Sequence, residues 1–190
     1  MAKTVVLVCV LLVACCVAHA TMIDLRTFSA DGEVTFYSDG TVATFAESKD
    51  HMETFLSDDP GMDDPEVIFA GPGVLLQFDY LFTDLSHNGD DGFSAWIIGP
   101  DGGSIGAAYE FSLSYSGDGV VSFDLTDLTD LVGAEPLGVQ FQLSSLNGTS
   151  PDYDSTLQIS NVQLVPEPVT VVALGSLLAG IFTARRLKRD

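Results

Sequence analysis

Residues 74–82 read VLLQFDYLF, and their alternation decides the fold. Val74, Leu76, Phe78, Tyr80 and Phe82 fall on one face and Gln77 and Asp79 on the other, which is the period of a half-buried strand and not of a helix. The pattern recurs in YEFSLSY, which aligns Tyr109, Phe111, Leu113 and Tyr115, and in VVSFDL, which aligns Val121, Phe123 and Leu125. LGVQFQL aligns Leu137, Val139, Phe141 and Leu143. In TLQISNVQL the phase slips: Leu157 and Ile159 keep one register, Val162 and Leu164 the other, and a bulge near Ser160-Asn161 reconciles them.

Shorter candidate strands are MIDLRTF, EVTFY, TVATFAE, EVIFA and FSAWIIG. Ser38-Asp39-Gly40 and Ser116-Gly117-Asp118-Gly119 have the composition of hairpin turns. DLTDLTDL (124–131) reads as the end of a strand near Leu125 followed by a single helical or 3₁₀ turn with an Asp cap. Short strands with one apolar face each, and no sustained helical period between them, predict an all-β fold over residues 21–164. The expected architecture is an antiparallel β-sandwich, jelly-roll-like in its connections.

The N-terminal MAKTVVLVCVLLVACCVAHA has Lys3, an apolar run from Val5 to Val17 and the small-x-small exit Ala18-His19-Ala20. These are the parts of a secretory signal peptide over residues 1–20, cut by signal peptidase so that Thr21 becomes the first mature residue. Leu12-Val13-Ala14-Cys15 also allows a second reading, a bacterial lipobox with Cys15 lipidated. All three cysteines (Cys9, Cys15, Cys16) lie in this leader, so the processed chain would carry no disulfide, thiol nucleophile or cysteine metal site.

Charge narrows the partners. The chain has 7 Lys+Arg against 27 Asp+Glu. Without the leader and everything after Pro168, Arg26 and Lys49 face 26 acids, a net charge of −24. Such a surface repels nucleic-acid phosphates and anionic lipid, so no nucleic-acid partner is expected. It suits cations or a cation-bridged polysaccharide.

Nucleophilic catalysis is poorly supplied, because the histidines outside the leader, His51 and His87, stand in polar, turn-like surroundings. Glu33, Glu47, Glu53, Glu66, Glu110 and Glu135 offer carboxylates, but none forms a close alternating pair on one strand. A solvated acidic face is the simpler reading, and a non-enzymatic chain is expected. The alternative is a secreted glycan-active hydrolase that uses a carboxylate pair. SDDPGMDDPE (57–66), SHNGDDG (86–92) and PDYD (151–154) concentrate hard oxygen ligands in loops. Calcium is the cation they suit, with Asp90 and Asp91 the expected ligands, although EF-hand spacing is absent. Trp96 is the single tryptophan. FSAWII embeds it in a run that reads as buried on at least one side, so a core role comes first and a sugar-stacking platform second. Tyr37 and Tyr153 are weaker platforms, and Asn147-Gly148-Thr149 fits an N-glycosylation sequon.

The C-terminus reads VPEPVTVVALGSLLAGIFTARRLKRD. Val169 to Ala184 carries no charge over 16 residues. As a helix that run is roughly 24 Å long, short of the ~30 Å bilayer core. Arg185, Arg186, Lys188 and Arg189 would hold its end in the cytoplasm. Pro166-Glu167-Pro168, a short apolar helix and a basic tail, in that order and opposite a signal peptide, resemble the PEP-CTERM sorting signal of exported bacterial proteins; Val169 is a mild departure from the alanine often found there. DSTLQISNVQLVPEP (154–168) is similar to the end of the sandwich domains that often precede this signal. The resemblance implies an exosortase as partner, transient anchoring of residues 165–190 in the inner membrane through a short transmembrane helix, and cleavage near Pro166–Pro168. It implies a final location at the cell surface or outside the cell, often in bacteria that secrete exopolysaccharide and form biofilm.

Overall fold

In the computed structural model the described residues are 20–51, 53–62, 64, 67–85, 91–145 and 154–166. Twelve strands run through them: β1 (Thr21–Met22), β2 (Ser29–Asp31), β3 (Glu33–Tyr37), β4 (Val42–Ala46), β5 (Glu53–Asp58), β6 (Ile68–Phe69), β7 (Val74–Thr83), β8 (Asp91–Ile98), β9 (Glu110–Leu113), β10 (Gly117–Asp124), β11 (Pro136–Ser145) and β12 (Thr156–Pro166). A single turn of helix, α1 (Thr129–Val132), lies between β10 and β11. One sheet has the order β10-β7-β12-β4-β3, with β1 added to β12. The other has the order β2-β5-β11-β8-β9, with β6 added to β11. Every pairing is antiparallel.

The inward faces are those the alternation marks. Leu76, Phe78 and Phe82 of β7, Val121 and Phe123 of β10, and Leu157 and Ile159 of β12 are buried against Phe93, Ala95 and Ile97 of β8 and Val139, Phe141 and Leu143 of β11. Phe78 sits between the sheets, edge-on to Phe141 with ring centroids 5.0 Å apart, and Tyr80, Phe93 and Phe111 form a second aromatic group. Offset and edge-on rings add to the area they bury, and this packing fixes the two sheets face to face.

The phase slip in β12 is a bulge. Its register against β7 shifts between Ser160 and Gln163, Asn161 adopts φ 53°, and the Asn161 side-chain amide donates to Asp79 Oδ2 at 2.6 Å. The SDG turn joins β3 to β4 with Ser38, Asp39 and Gly40 all at positive φ. At Gly40 a Cβ would run into the Asp24 carboxylate and the Arg26 guanidinium, so both backbone and space require glycine there. β10 stops at Asp124, whose carboxylate accepts from Thr126 N at 2.9 Å and turns the chain toward α1. The Thr126 side chain first, and this backbone bond second, hold the Asp124 carboxyl below its ordinary value.

Three expectations need correction. Of MIDLRTF (22–28) only Met22 belongs to a strand, with Ile23 N still donating to Val162 O; Asp24 then accepts from Arg26 N and starts a 3₁₀ turn at Leu25–Thr27, which drops Leu25 into the core. SGDG is not a hairpin, because β9 and β10 belong to different sheets; Gly117–Gly119 already pair with Phe82–Tyr80 of β7. Tyr115, aligned by alternation with Phe111 and Leu113, lies past the end of β9 and is 65% exposed. The leader with Ala18, the motif residues Glu167 and Pro168, the apolar tail with Arg185, Arg186, Lys188 and Arg189, and the sequon at Asn147 all lie outside the described residues. Among the described residues no helix is long and apolar enough to cross a membrane.

Candidate functional site

Strand alternation turns Trp96 away from the core. On β8, Phe93, Ala95 and Ile97 are buried inward, so Ser94 and Trp96 point outward. The core reading of Trp96 is therefore corrected: it is half-buried and does not pack against the core cluster. FSAWII is apolar on both faces because Ile98, also outward, is covered by the loop at 99–106 and is 2% exposed.

The register builds the surroundings of Trp96. Gln140 of β11 and Glu110 of β9 stand directly opposite it on either side, and Ser57 of β5 stands beyond Gln140. The next row along the strands is Phe55, Gln142, Ser94 and Ser112. A depression of about 430 Å³ opens at the β8–β9 end of this face, lined by Ser94, Trp96, Ser104, Ala107, Glu110 and Ser112. Its size is that of an ordinary small-ligand pocket. Ser104 Oγ donates to Glu110 Oε1 at 2.6 Å, which fixes the carboxylate at the rim. An aromatic face, hydroxyls and amide-bearing neighbours are groups that stack on and hydrogen-bond to a polyhydroxylated ligand.

The lining supplies a single carboxylate, Glu110, whereas glycoside hydrolysis uses two. The loop also contains GGSIG (102–106), the Gly-x-Ser-x-Gly spacing of a hydrolase nucleophile elbow. An elbow requires strand, sharp turn and helix. Here Ser104 bridges back to Ile98 in an exposed loop, and its hydroxyl is taken up by Glu110. His51 is remote in role as well: it is exposed, with Nδ1 3.8 Å from Asp31 Oδ1.

A second cluster lies at the ends of β7, β8 and β12. Asp84, Asp91 and Asp154 each bring a carboxylate oxygen within 4.8 Å of the others. Asp84 is 0% exposed and Asp91 1%. Ser155 Oγ donates to Asp91 Oδ2 at 2.7 Å, and Ser155 N donates to Glu47 Oε2 at 3.2 Å. Asp91 is an expected calcium ligand; its expected neighbour Asp90 lies outside the described residues. Asp154 belongs to the PDYD loop, and Asp84 is a member that sequence spacing missed.

Asp58, at the end of β5, stands apart from both. Its carboxylate is fully buried and neither oxygen has a hydrogen-bond partner. Burial first, then the charges of Asp64 and Asp59, pushes its pKa up to about 7.

The fold and this outward face define the class: an all-β protein of two antiparallel sheets with a polar, tryptophan-bearing outer surface. No protein-family model matches the chain, and no curated protein matches it. Among solved structures it is similar to SGBP-B from a complex xyloglucan utilization locus in Bacteroides uniformis, at 14% identity and a TM-score of 0.44, covering 73% of this chain and 46% of that one. A CBM4 structure matches at 11% identity and a TM-score of 0.36, covering 74% and 78%. A cyclase from Fischerella sp. TAU matches at 13% identity and a TM-score of 0.37, covering 74% of each. The chain spans under half the length of the first of these. Binding modules and an enzyme share this shallow likeness, which does not bear on what the chain binds.

Proposed function

We propose that the chain is an exported, exosortase-sorted surface or matrix protein whose sandwich binds carbohydrate and catalyses nothing. The observation that carries the binding half is the outward Trp96 between Gln140 and Glu110, beside a depression with one carboxylate. The strand orders β4-β12-β7-β10 and β5-β11-β8-β9, with consecutive strands alternating between sheets at several steps, support reading the eight central strands as a jelly roll. The sorting half rests on the order of motif, apolar run and basic tail after Pro166, the last residue of β12. Ala20 is exposed and Thr21 opens β1, so signal-peptide cleavage between them would leave the first paired residue at the new N-terminus.

A glycan array probed with the full chain and with Trp96→Ala tests the binding half: sugar binding lost in the variant supports it, and equal binding by both overturns it. Mass spectrometry of the surface-exposed protein from its own host tests the other half. A C-terminus near Pro166–Pro168 supports sorting, and an intact Asp190 overturns it.

A structural calcium is the second reading. It is favoured by the convergence of Asp84, Asp91 and Asp154 from three separated segments, two of them buried, with the hard oxygen donors calcium takes.

A further inference from the structure

The two outward faces of the sandwich differ in what their polar side chains do. On the β10-β7-β12-β4-β3 sheet three of the four amide side chains bond neighbouring side chains: Gln77 Nε2 donates to Ser122 Oγ at 2.9 Å, Gln163 Nε2 to Gln77 Oε1 at 3.3 Å, and Asn161 Nδ2 to Asp79 Oδ2, while the exposed Gln158 is left to solvent. On the opposite face Gln140 and Gln142 project side by side from β11, half-buried, and among the described residues neither side-chain amide bonds a protein group. They are flanked by two aromatic side chains, Trp96 on β8 and Phe55 on β5. Neither ring packs against the core cluster, unlike the half-buried Phe36, Tyr80, Tyr109 and Phe111.

We propose that a neutral, linear polysaccharide lies across the strands of this face, one sugar ring stacked on Trp96, another on Phe55, and the intervening hydroxyls bonded by Gln140 and Gln142. This rests on the carbohydrate reading of the Trp96 face. β11 separates the two aromatic strands, so the rings stand roughly 10 Å apart across the sheet and ~7 Å apart along it. One pyranose cannot reach both, and the ligand must be an oligomer. Its course is set by a wall. The loops at 59–62 and 99–106 approach each other over the Ile98 end of the sheet, where a Cβ at Gly61 would lie 3.6 Å from Gly102 N. A chain leaving the depression at Trp96 is thus turned over β11 toward β5. Neutrality follows from charge: Glu110, Asp31 and Glu53 edge this face, and neither basic residue between leader and tail, Arg26 or Lys49, belongs to its strands. A uronate or sulfate would meet mostly carboxylates there, with no lysine or arginine on the strands of the face.

The test is titration calorimetry on the full chain with cello-, xylo-, manno- and laminari-oligosaccharides of two and six units, and with alginate as the anionic probe. Wild type, Trp96→Ala, Phe55→Ala and Phe55→Leu are compared, the leucine variant keeping apolar bulk without a ring face. We expect a six-unit neutral sugar to bind wild type, to bind both Phe55 variants about tenfold more weakly, and to bind Trp96→Ala more weakly still. Two-unit sugars should not distinguish wild type from the Phe55 variants. Unchanged six-unit binding in both Phe55 variants, with binding lost in Trp96→Ala, overturns the course across the strands and leaves the carbohydrate reading standing. Unchanged binding in Trp96→Ala, or no binding of any neutral probe by wild type, overturns both. Alginate binding as tight as the neutral sugars overturns the assignment of charge.

Discussion

Ser155 Oγ donates to Asp91 Oδ2 at 2.7 Å, both groups buried, and so ties the approach to β12 in one sheet to the first residue of β8 in the other. A hydrogen bond to a buried carboxylate is stronger than one between neutral groups, and removing its donor leaves the charge poorly solvated. Ser155→Ala should therefore cost on the order of 1–3 kcal/mol in urea unfolding with an unchanged denaturant slope. Stability within a few tenths of wild type would show that this tie contributes nothing net.

The three carboxylates around that tie lead to a metal prediction. If Asp84, Asp91 and Asp154 hold calcium, binding to the folded state alone raises the melting temperature with calcium concentration. EDTA should lower it, and Asp154→Asn should blunt the response more than Glu135→Gln, an exposed control. A melting temperature indifferent to both EDTA and added calcium would rule the site out.

Asp58 makes stability depend on pH in the opposite sense to an ordinary paired carboxylate. Its folded pKa of about 7 lies above the 3.8 of an unperturbed aspartate. Below the lower value both states are protonated and nothing is lost. Between the two the unfolded chain ionises while the folded one resists, so stability falls as pH rises toward 7 and is level above it. Asp58→Asn removes this slope. Its stability relative to wild type should rise across that window by an amount on the order of a few kcal/mol. A difference between the two proteins that does not change with pH would count against a buried, proton-holding Asp58.

The core faces are legible in the sequence because inward residues of β7, β10 and β11 are apolar at strict period 2, and even the bulge shows as a phase slip at Ser160-Asn161. β5 is not legible for a physical reason: its inward side is Thr54, Leu56 and Asp58, while its outward side carries Phe55, so alternation points the wrong way. β2, reading SAD, has no apolar residue larger than alanine. Trp96 is ambiguous because Ile98 makes both faces of β8 apolar, and only the loop covering Ile98 separates the two roles. Of the acids, Asp91 stands out in its Gly-Asp-Asp-Gly run, but a lone Asp84 after a strand is ordinary turn chemistry. The chain order of the sheets, not spacing, brings it to Asp91 and Asp154.

Where β12 ends bears on the proposed sorting signal. Pro166 pairs with Val74 as the last residue of a strand that lies between β7 and β4 and also receives β1. A cut after Pro166 leaves every one of those pairings intact, although β12 and the proposed sorting signal share Val165 and Pro166. A chain of residues 21–166 should melt cooperatively. Ending the chain at Ser160 removes buried Val162, half-buried Leu164, the partners of β1 and the pairs from Gln163↔Gln77 to Pro166↔Val74. Loss of the Val162 side chain alone would cost on the order of 1–3 kcal/mol, and the lost strand far more, so this shorter chain should not fold. Circular dichroism melts of the two truncations decide the matter. If the chain ending at Pro166 lacks a cooperative transition, residues beyond it are part of the folded domain, and cleavage there could not release an intact sandwich.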